Sequence, residues 1–259
     1  PILSGLVGSE MCIRDSAEAD PTFDVEGIDA AHKLTILSSI AFGVPLAFER
    51  IYTEGISEIT VDDIRYAAEL GYRLKHLGIT RRSDAGVELR VHPTLVPEAE
   101  LIAKVDGVMN AVLVSSDGAG STLYYGAGAG ALPTGSAVTA DIIDVARAVG
   151  AEHAVSNLGF ASGTSDAPVL PISETRSAFY LKLTVADRPG VMASLSTTLS
   201  DHHISIESLI QKDANGGQVP IVLITNEVLE SQFDTAVAAI ESADYTQSEV
   251  TRIRVVSFG

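Results

Sequence analysis

The 259-residue sequence contains a single cysteine, Cys12. One cysteine excludes an internal disulfide framework and a cysteine-rich zinc site. The six histidines are scattered, and the one adjacent pair, His202 and His203, does not have the spacing of metal ligands. The sequence therefore assigns no metal-binding residue.

Basic residues are also scarce, with 17 lysines and arginines against 34 aspartates and glutamates. The formal net charge of −17 argues against binding a nucleic-acid backbone, which needs clustered lysine and arginine. The apolar stretch over residues 1–7 is too short for a membrane span or a signal-peptide core, so we expect no membrane partner. An apolar content of 46% is enough to bury a sizeable core, and an enzyme of small metabolites is the natural expectation.

The most informative stretch is a dense run of carboxylates that leads into an apolar helix, here called the acid segment (residues 18–33). Asp29 and Lys33 are four residues apart, so a helix places them on one face. Carboxylates can hold the ammonium group of a small cationic substrate, and a positioned lysine can supply a proton. The alternative is a solvated acidic loop with a surface ion pair worth about 0.3–0.5 kcal/mol. Spacing alone favours this alternative.

The acid segment resembles the substrate-binding motif of homoserine dehydrogenases, Glu-Ala-Asp-Pro-Thr-x-Asp-Val-x-Gly-x-Asp-Ala-Ala-x-Lys. This resemblance implies that Lys33 is the catalytic proton donor. It also implies that Asp24 and Asp29 bind the substrate, and that Glu18 contacts both substrate and cofactor. The implied cofactor is NADP or NAD, and the implied substrates are L-homoserine and L-aspartate 4-semialdehyde.

A glycine-rich turn at residues 126–131 follows a predicted strand and precedes a helix predicted for residues 137–149. It formally fits the dinucleotide-binding pattern G-x-G-x-x-A. Residues 133–135 are expected to delay the helix, and no second strand ending in an acid follows about 20 residues on, so we do not predict a self-contained dinucleotide fold. The turn resembles a returning segment of homoserine dehydrogenases, which implies that Gly130 lies against the cofactor. A plain strand-to-helix turn is the alternative.

The remaining patterns before residue 150 predict a sheet with helices on one face. The first helix should end at Gly43, and a second helix should begin after Thr60 and continue through Leu74 to Gly78. Residues 51–56 are interpreted as a short exposed connection. Strands are predicted at residues 87–91, 108–114 and 121–125, with a short helix at 101–105.

The C-terminal part has the predicted order strand, helix, strand, strand, helix, strand, which is typical of a ferredoxin-like module. Its sequence around Asp187-Arg188-Pro189-Gly190-Val191 resembles the ACT domain, a small amino-acid-sensing module. That resemblance implies an effector site at Asp187, Gly190 and Val191, with threonine as the expected effector. Many ACT modules only dimerise, so this alternative stays open.

These observations predict an α/β (α+β) chain: a substrate and dimerisation domain at residues 17–150, a linker at 151–176, and an ACT regulatory domain at 177–259. Residues 1–16 are expected to be a non-native tail that replaces a missing N-terminal dinucleotide half, and the fragment alone is expected to be inactive. The resemblance implies a cytoplasmic homodimer or homotetramer. Two alternatives remain: a non-catalytic amino-acid-sensing protein, and a first domain that folds only with the missing half.

Overall fold

The computed structural model describes residues 20–149, 165–214 and 216–258. The predicted N-terminal tail, Glu18, and most of the predicted linker lie outside the described residues.

Both halves of the chain contain helices and strands. The helices are α1 (Thr22–Val25), α2 (Ile28–Phe42), α3 (Val61–Glu69), α4 (Ala131–Val149), α5 (Val191–Asp201) and α6 (Glu230–Glu241). The strands are β1 (Tyr52–Thr53), β2 (Tyr72–Arg82), β3 (Val87–Pro97), β4 (Met109–Ser116), β5 (Gly120–Ala127), β6 (Arg176–Ala186), β7 (Ile206–Gln211), β8 (Gln218–Thr225), β9 (Val228–Leu229) and β10 (Thr251–Val255). Short 3₁₀ turns occupy Phe48–Arg50, Ile102–Lys104 and Ile172–Glu174.

The two halves share one mixed sheet. Its strand order is β1-β3-β10-β6-β8-β7. Strands β1 and β10 pair with different parts of β3, β2 pairs with β3 along its whole length, and β9 pairs with β6. Strand β10 runs parallel to β3, with Arg254 opposite Thr94 and Val255 opposite Leu95. The predicted α/β class with a mixed sheet is confirmed, and the sheet is continuous from one half to the other.

Strands β6, β7, β8 and β10 with helices α5 and α6 form the C-terminal module (residues 176–255), and the predicted βαββαβ order is confirmed. Side chains along β6 alternate between two faces of the sheet, as a strand requires. Phe179 and Leu181 pack under α5 and α6, where Phe179 stacks on Phe233 with ring centroids 3.7 Å apart. Tyr180 points to the opposite face, into a core shared with Tyr66 of α3.

Helix α3 is held on that second face by a buried carboxylate. The side chain of Thr60 accepts a hydrogen bond from the Asp63 amide, and Asp63 Oδ2 accepts one from the Thr60 amide, which caps the helix as predicted. Asp63 is fully buried, accepts a hydrogen bond from the Tyr180 hydroxyl at 3.2 Å and forms an ion pair with Lys182 at 2.7 Å. One acid therefore caps α3 and ties it to the C-terminal module.

The prediction that this second helix continues through Leu74 to Gly78 is wrong. The helix ends at Glu69, and Gly71 turns the chain with a φ of +85°, a left-handed conformation that favours glycine. Leu74 and Gly78 lie in β2, where Leu74 is buried in the sheet. Apolar spacing alone did not distinguish a longer helix from a buried strand.

The expected delay of the helix after the glycine-rich turn is also wrong. Helix α4 begins at Ala131, and Pro133 lies in its first turn, where proline is tolerated because the first amides of a helix have no partner within it. Strands β4 and β5 are present as predicted, but they pair in a two-stranded sheet separate from the main sheet, which was not predicted. Within the described part of the chain, no helix has the length and apolar character needed to cross a membrane.

Candidate functional site

The acid segment folds into the short helix α1 and the longer helix α2, which meet at Gly27. This glycine has a φ of +76°. A β-carbon at Gly27 would lie 2.8 Å from His76 Cε1 and 2.9 Å from Val91 Cγ1, so only glycine fits. The start of α2 is therefore packed directly against strands β2 and β3.

Asp29 and Lys33 form the predicted pair on one face of α2. Lys33 Nζ donates a hydrogen bond to Asp29 Oδ2 at 2.5 Å, and the two side chains are 68% and 44% exposed. Asp24 lies on α1 and is exposed. Glu18 lies outside the described residues. The structure thus places three of the four predicted substrate and proton-transfer residues on α1 and the first two turns of α2, with Asp29 and Lys33 in contact.

The opposite face of α2 fixes the helix in place. Ala31 and Leu34 are buried in a core with Val87, Leu89 and Val91 of β3. Ser38 donates a hydrogen bond to Thr80 of β2 at 2.7 Å. Because its back face is packed, α2 presents Asp29 and Lys33 from a rigid support.

The bridging segment (residues 52–57) supports the acid segment and was not predicted to do so. The interpretation of residues 51–56 as an exposed connection is wrong, because they are half-buried and Ile56 is buried. The amide of Ile56 donates a hydrogen bond to the Val25 carbonyl at 3.0 Å, and the Ser57 hydroxyl donates one to Glu26. The glycine at position 55 could have indicated this close packing, because any side chain there would collide with Glu26.

His76 adds a further contact behind the bridging segment. Its Nε2 donates a hydrogen bond to the Glu54 carbonyl at 2.9 Å, which places the proton on that nitrogen. Burial lowers the pKa of His76, although the carbonyl and nearby acids oppose this effect. A neutral ring therefore packs against both Gly27 and the bridging segment.

Gly130 lies at the exposed turn before α4, with a φ of +119°. A β-carbon at Gly130 would meet only Pro133, at 3.6 Å. Glycine is thus required by the backbone conformation, and the open side of the turn leaves room for a flat ring to approach the chain. The backbone of this turn is therefore accessible from one side.

The C-terminal module contains a cavity of about 210 Å³ at the start of α5. Asp187, Gly190 and Val191, the three residues predicted for an effector, all line it. Arg188 at its mouth is held by Asp244 at 2.6 Å, and the Asp187 amide donates a hydrogen bond to the Gly217 carbonyl at 2.9 Å. The structure therefore brings the three predicted residues to one cavity.

Two family models match the chain. The model described as "Homoserine dehydrogenase" matches residues 10–143, and the model described as "ACT domain" matches residues 179–244.

Curated relatives named homoserine dehydrogenase align with both halves. The protein of Pseudomonas aeruginosa is 56% identical over 244 residues, and that of Neisseria gonorrhoeae is 51% identical over 245 residues. These alignments cover 92% and 93% of this chain but 56% of each relative. The chain thus spans about half the length of the curated relatives it matches.

Solved structures agree with these alignments. A homoserine dehydrogenase from Thiobacillus denitrificans superposes with a TM-score of 0.90 and 54% identity, over 96% of this chain and 57% of that one. A homoserine dehydrogenase from S. aureus superposes with a TM-score of 0.68 and 30% identity, over 96% and 58%.

Proposed function

The chain belongs to the homoserine dehydrogenase family, and from that premise we propose that it supplies the substrate-binding and proton-transferring part of an NAD(P)-dependent homoserine dehydrogenase. The reaction is the reversible interconversion of L-homoserine and L-aspartate 4-semialdehyde. The observation that supports this most directly is the contact between Asp29 and Lys33 on a helix whose other face is buried.

Each residue of the acid segment has a role in this proposal. Lys33 gives a proton to the oxygen of the aldehyde as it becomes an alcohol, and takes it back in the reverse direction. Asp29 orients Lys33 through the 2.5 Å hydrogen bond and contacts the substrate. Asp24 and Glu18 hold the ammonium group of the substrate, because carboxylates accept its hydrogen bonds.

A nicotinamide cofactor, NAD or NADP, supplies and accepts the hydride. We assign Gly130 and Glu18 to its binding. The exposed turn at Gly130 supports this assignment, since its backbone can approach a ring without interference from a side chain.

The activity is tested in a hybrid that joins residues 17–259 to the remaining part of the P. aeruginosa relative. We expect the hybrid to form reduced nicotinamide when L-homoserine is added. Asp29→Asn should lower kcat/KM about 10- to 100-fold, because a hydrogen bond to a charged group is worth about 1.5–3 kcal/mol. Asp62→Asn is the matched control, as Asp62 is also an exposed helical acid paired with a cation, Arg65.

A folded hybrid that does not oxidise homoserine would contradict the proposed reaction. Equal losses in Asp29→Asn and Asp62→Asn would contradict the assignment of Asp29. The 259 residues alone should turn over negligibly, since Lys33 and Gly130 are both exposed on this chain.

The C-terminal module is the proposed regulatory part, and its effector is an amino acid, for which we propose threonine. The cavity at the start of α5 supports this proposal because it combines an acid, Asp187, with the amides of a helix beginning at Val191. An acid can hold the ammonium group of an amino acid, and helix amides can hold its carboxylate.

Chemical denaturation of the chain with L-threonine tests the effector site. At saturating concentrations, each tenfold increase in L-threonine should raise the free energy of unfolding by about 1.4 kcal/mol, because the ligand binds the folded state. The Asp187→Asn variant should require more L-threonine for the same increase in the free energy of unfolding. Asp201→Asn, which changes an exposed acid at the end of α5, should not. Stability that is independent of L-threonine, or that responds equally to D-threonine, would contradict the assignment.

We further propose that residues 17–150 and 177–259 act as substrate and regulatory domains of a homodimer or homotetramer. Exposed apolar side chains on β4, β5 and α4 support assembly, since large patches of this kind mark contact surfaces. They include Val112, Val114, Tyr124, Tyr125, Leu132 and Ile142.

A further inference from the structure

Arg254 of β10 lies where the two halves of the sheet meet, and its guanidinium is almost fully buried. The side chain is 5% exposed. Its Nε donates to Glu230 Oε2 at 3.0 Å, its Nη1 donates to Glu54 Oε2 at 2.7 Å, and its Nη2 donates to Glu230 and to the Tyr52 hydroxyl. One arginine thus binds an acid from α6 and an acid from the bridging segment.

The charges around Arg254 offset the unfavourable effect of burying its guanidinium. Burial alone would lower the pKa of Arg254, but the hydrogen bonds and charge of Glu230 outweigh this, and the pKa is raised above its ordinary value. The ring of Tyr52 lies 4.8 Å from the guanidinium carbon, which adds a cation–π contact. A guanidinium presents its donors in a fixed planar fork, so the positions of Glu230 and Glu54 are set relative to each other.

Glu54 belongs to the bridging segment, and the next residues of this segment, Ile56 and Ser57, contact the acid segment. The contacts are the hydrogen bond from the Ile56 amide to the Val25 carbonyl and that from Ser57 to Glu26. They lie at the junction of α1 and α2, between Asp24 and Asp29. A continuous set of contacts therefore leads from α6 and β10 to the residues assigned to the substrate.

We propose that Arg254 of the C-terminal module is a positioning residue for the substrate acids, which acts through Glu54 to hold the bridging segment against the α1–α2 junction. The proposal rests on the proposed function only for the roles of Asp24 and Asp29. A ligand that moves β10 or the start of α6 shifts Glu54 and, with it, the acid segment.

Amide hydrogen exchange of the chain tests this coupling without substrate or cofactor. The amide of Ile56 is the reporter, because its acceptor is the Val25 carbonyl at the junction. Glu54→Ala removes the carboxylate held by Arg254 but leaves the Arg254–Glu230 contacts and the backbone contacts of residue 54. We expect exchange at Ile56, and across residues 22–33, to rise about three- to tenfold. Amides of α5 should not change.

Two further variants separate positioning from general destabilisation. Glu54→Gln keeps the size of the side chain and an acceptor for Arg254, so it should restore much of the protection that Glu54→Ala loses. Asp234→Ala removes the exposed partner of Arg252, two residues away on β10, and should leave the Ile56 amide unchanged.

Unchanged exchange at Ile56 in Glu54→Ala would overturn the proposal. An equal rise in every part of the chain, including α5, would also overturn it, because that result reports a loss of global stability. Neither outcome depends on whether the hybrid oxidises homoserine, so failure of this proposal is distinguishable from failure of the proposed function.

Discussion

Replacing Lys33 by alanine in the hybrid should lower kcat about 10²- to 10⁴-fold, which is the usual contribution of a positioned acid–base group. The KM for homoserine should change little, because the proposal assigns substrate binding to Asp24, Asp29 and Glu18. Steady-state kinetics in the direction of homoserine oxidation measure both constants. A decrease in kcat with an unchanged KM identifies an interaction that is made only in the transition state.

Lys104→Ala is the matched control for this result. Lys104 is also exposed, and its ammonium group donates a hydrogen bond to the Ala99 carbonyl rather than to an acid of the site. The kcat of the Lys104→Ala hybrid should equal that of the unmodified hybrid. If Lys33→Ala retained its kcat, the proton donor would have to be another residue; if only KM rose, Lys33 would be a binding residue.

The local part of the site could be predicted from the sequence. The pairing of Asp29 with Lys33 follows from a spacing of four residues on a helix, and the structure shows this contact. The order of elements in the C-terminal module also follows from local patterns of apolar residues and turns. In both cases the information lies within a few neighbouring residues.

The junction between the two halves could not be predicted in this way. The pairing of β10 with β3 joins residues far apart in the chain, and no local pattern marks Arg254 and Thr94 as neighbours. The misassigned end of α3 has the same origin, because Leu74 lies on a strand only through its pairing with Leu95 of β3, although its side chain packs in the same core as Tyr66 of α3.

The continuous sheet also changes the interpretation of the residues before the C-terminal module. Residues 165–175 contain turn-forming residues, yet the Val87 amide donates a hydrogen bond to the Pro168 carbonyl, and the Leu170 amide donates one to the Val87 carbonyl. Gly86 is packed so closely that a side chain there would collide with the Pro168 carbonyl. The described end of the predicted linker is therefore held against β3, which favours transmission of movement between the halves.

The largest effect on stability is expected for Arg254→Met, which should lower the free energy of unfolding by about 3–5 kcal/mol. The reason is that the side chain of Glu230 is 2% exposed, and its carboxylate would stay buried without the cation that neutralises it. Denaturant titration of the chain measures this loss. Arg252→Met is the control on the same strand: its partner Asp234 is exposed, so the expected loss is about 0–1 kcal/mol.

A double variant shows whether the loss arises from the buried charge. In Arg254→Met with Glu230→Met, both buried charges are replaced by apolar side chains, and such replacements are often neutral. Glu54 is 33% exposed and can be hydrated, so it should not prevent recovery. We expect the double variant to regain most of the stability lost in Arg254→Met. A double variant as unstable as the single one would show that Arg254 acts through packing, because removing the stranded carboxylate would then bring no benefit.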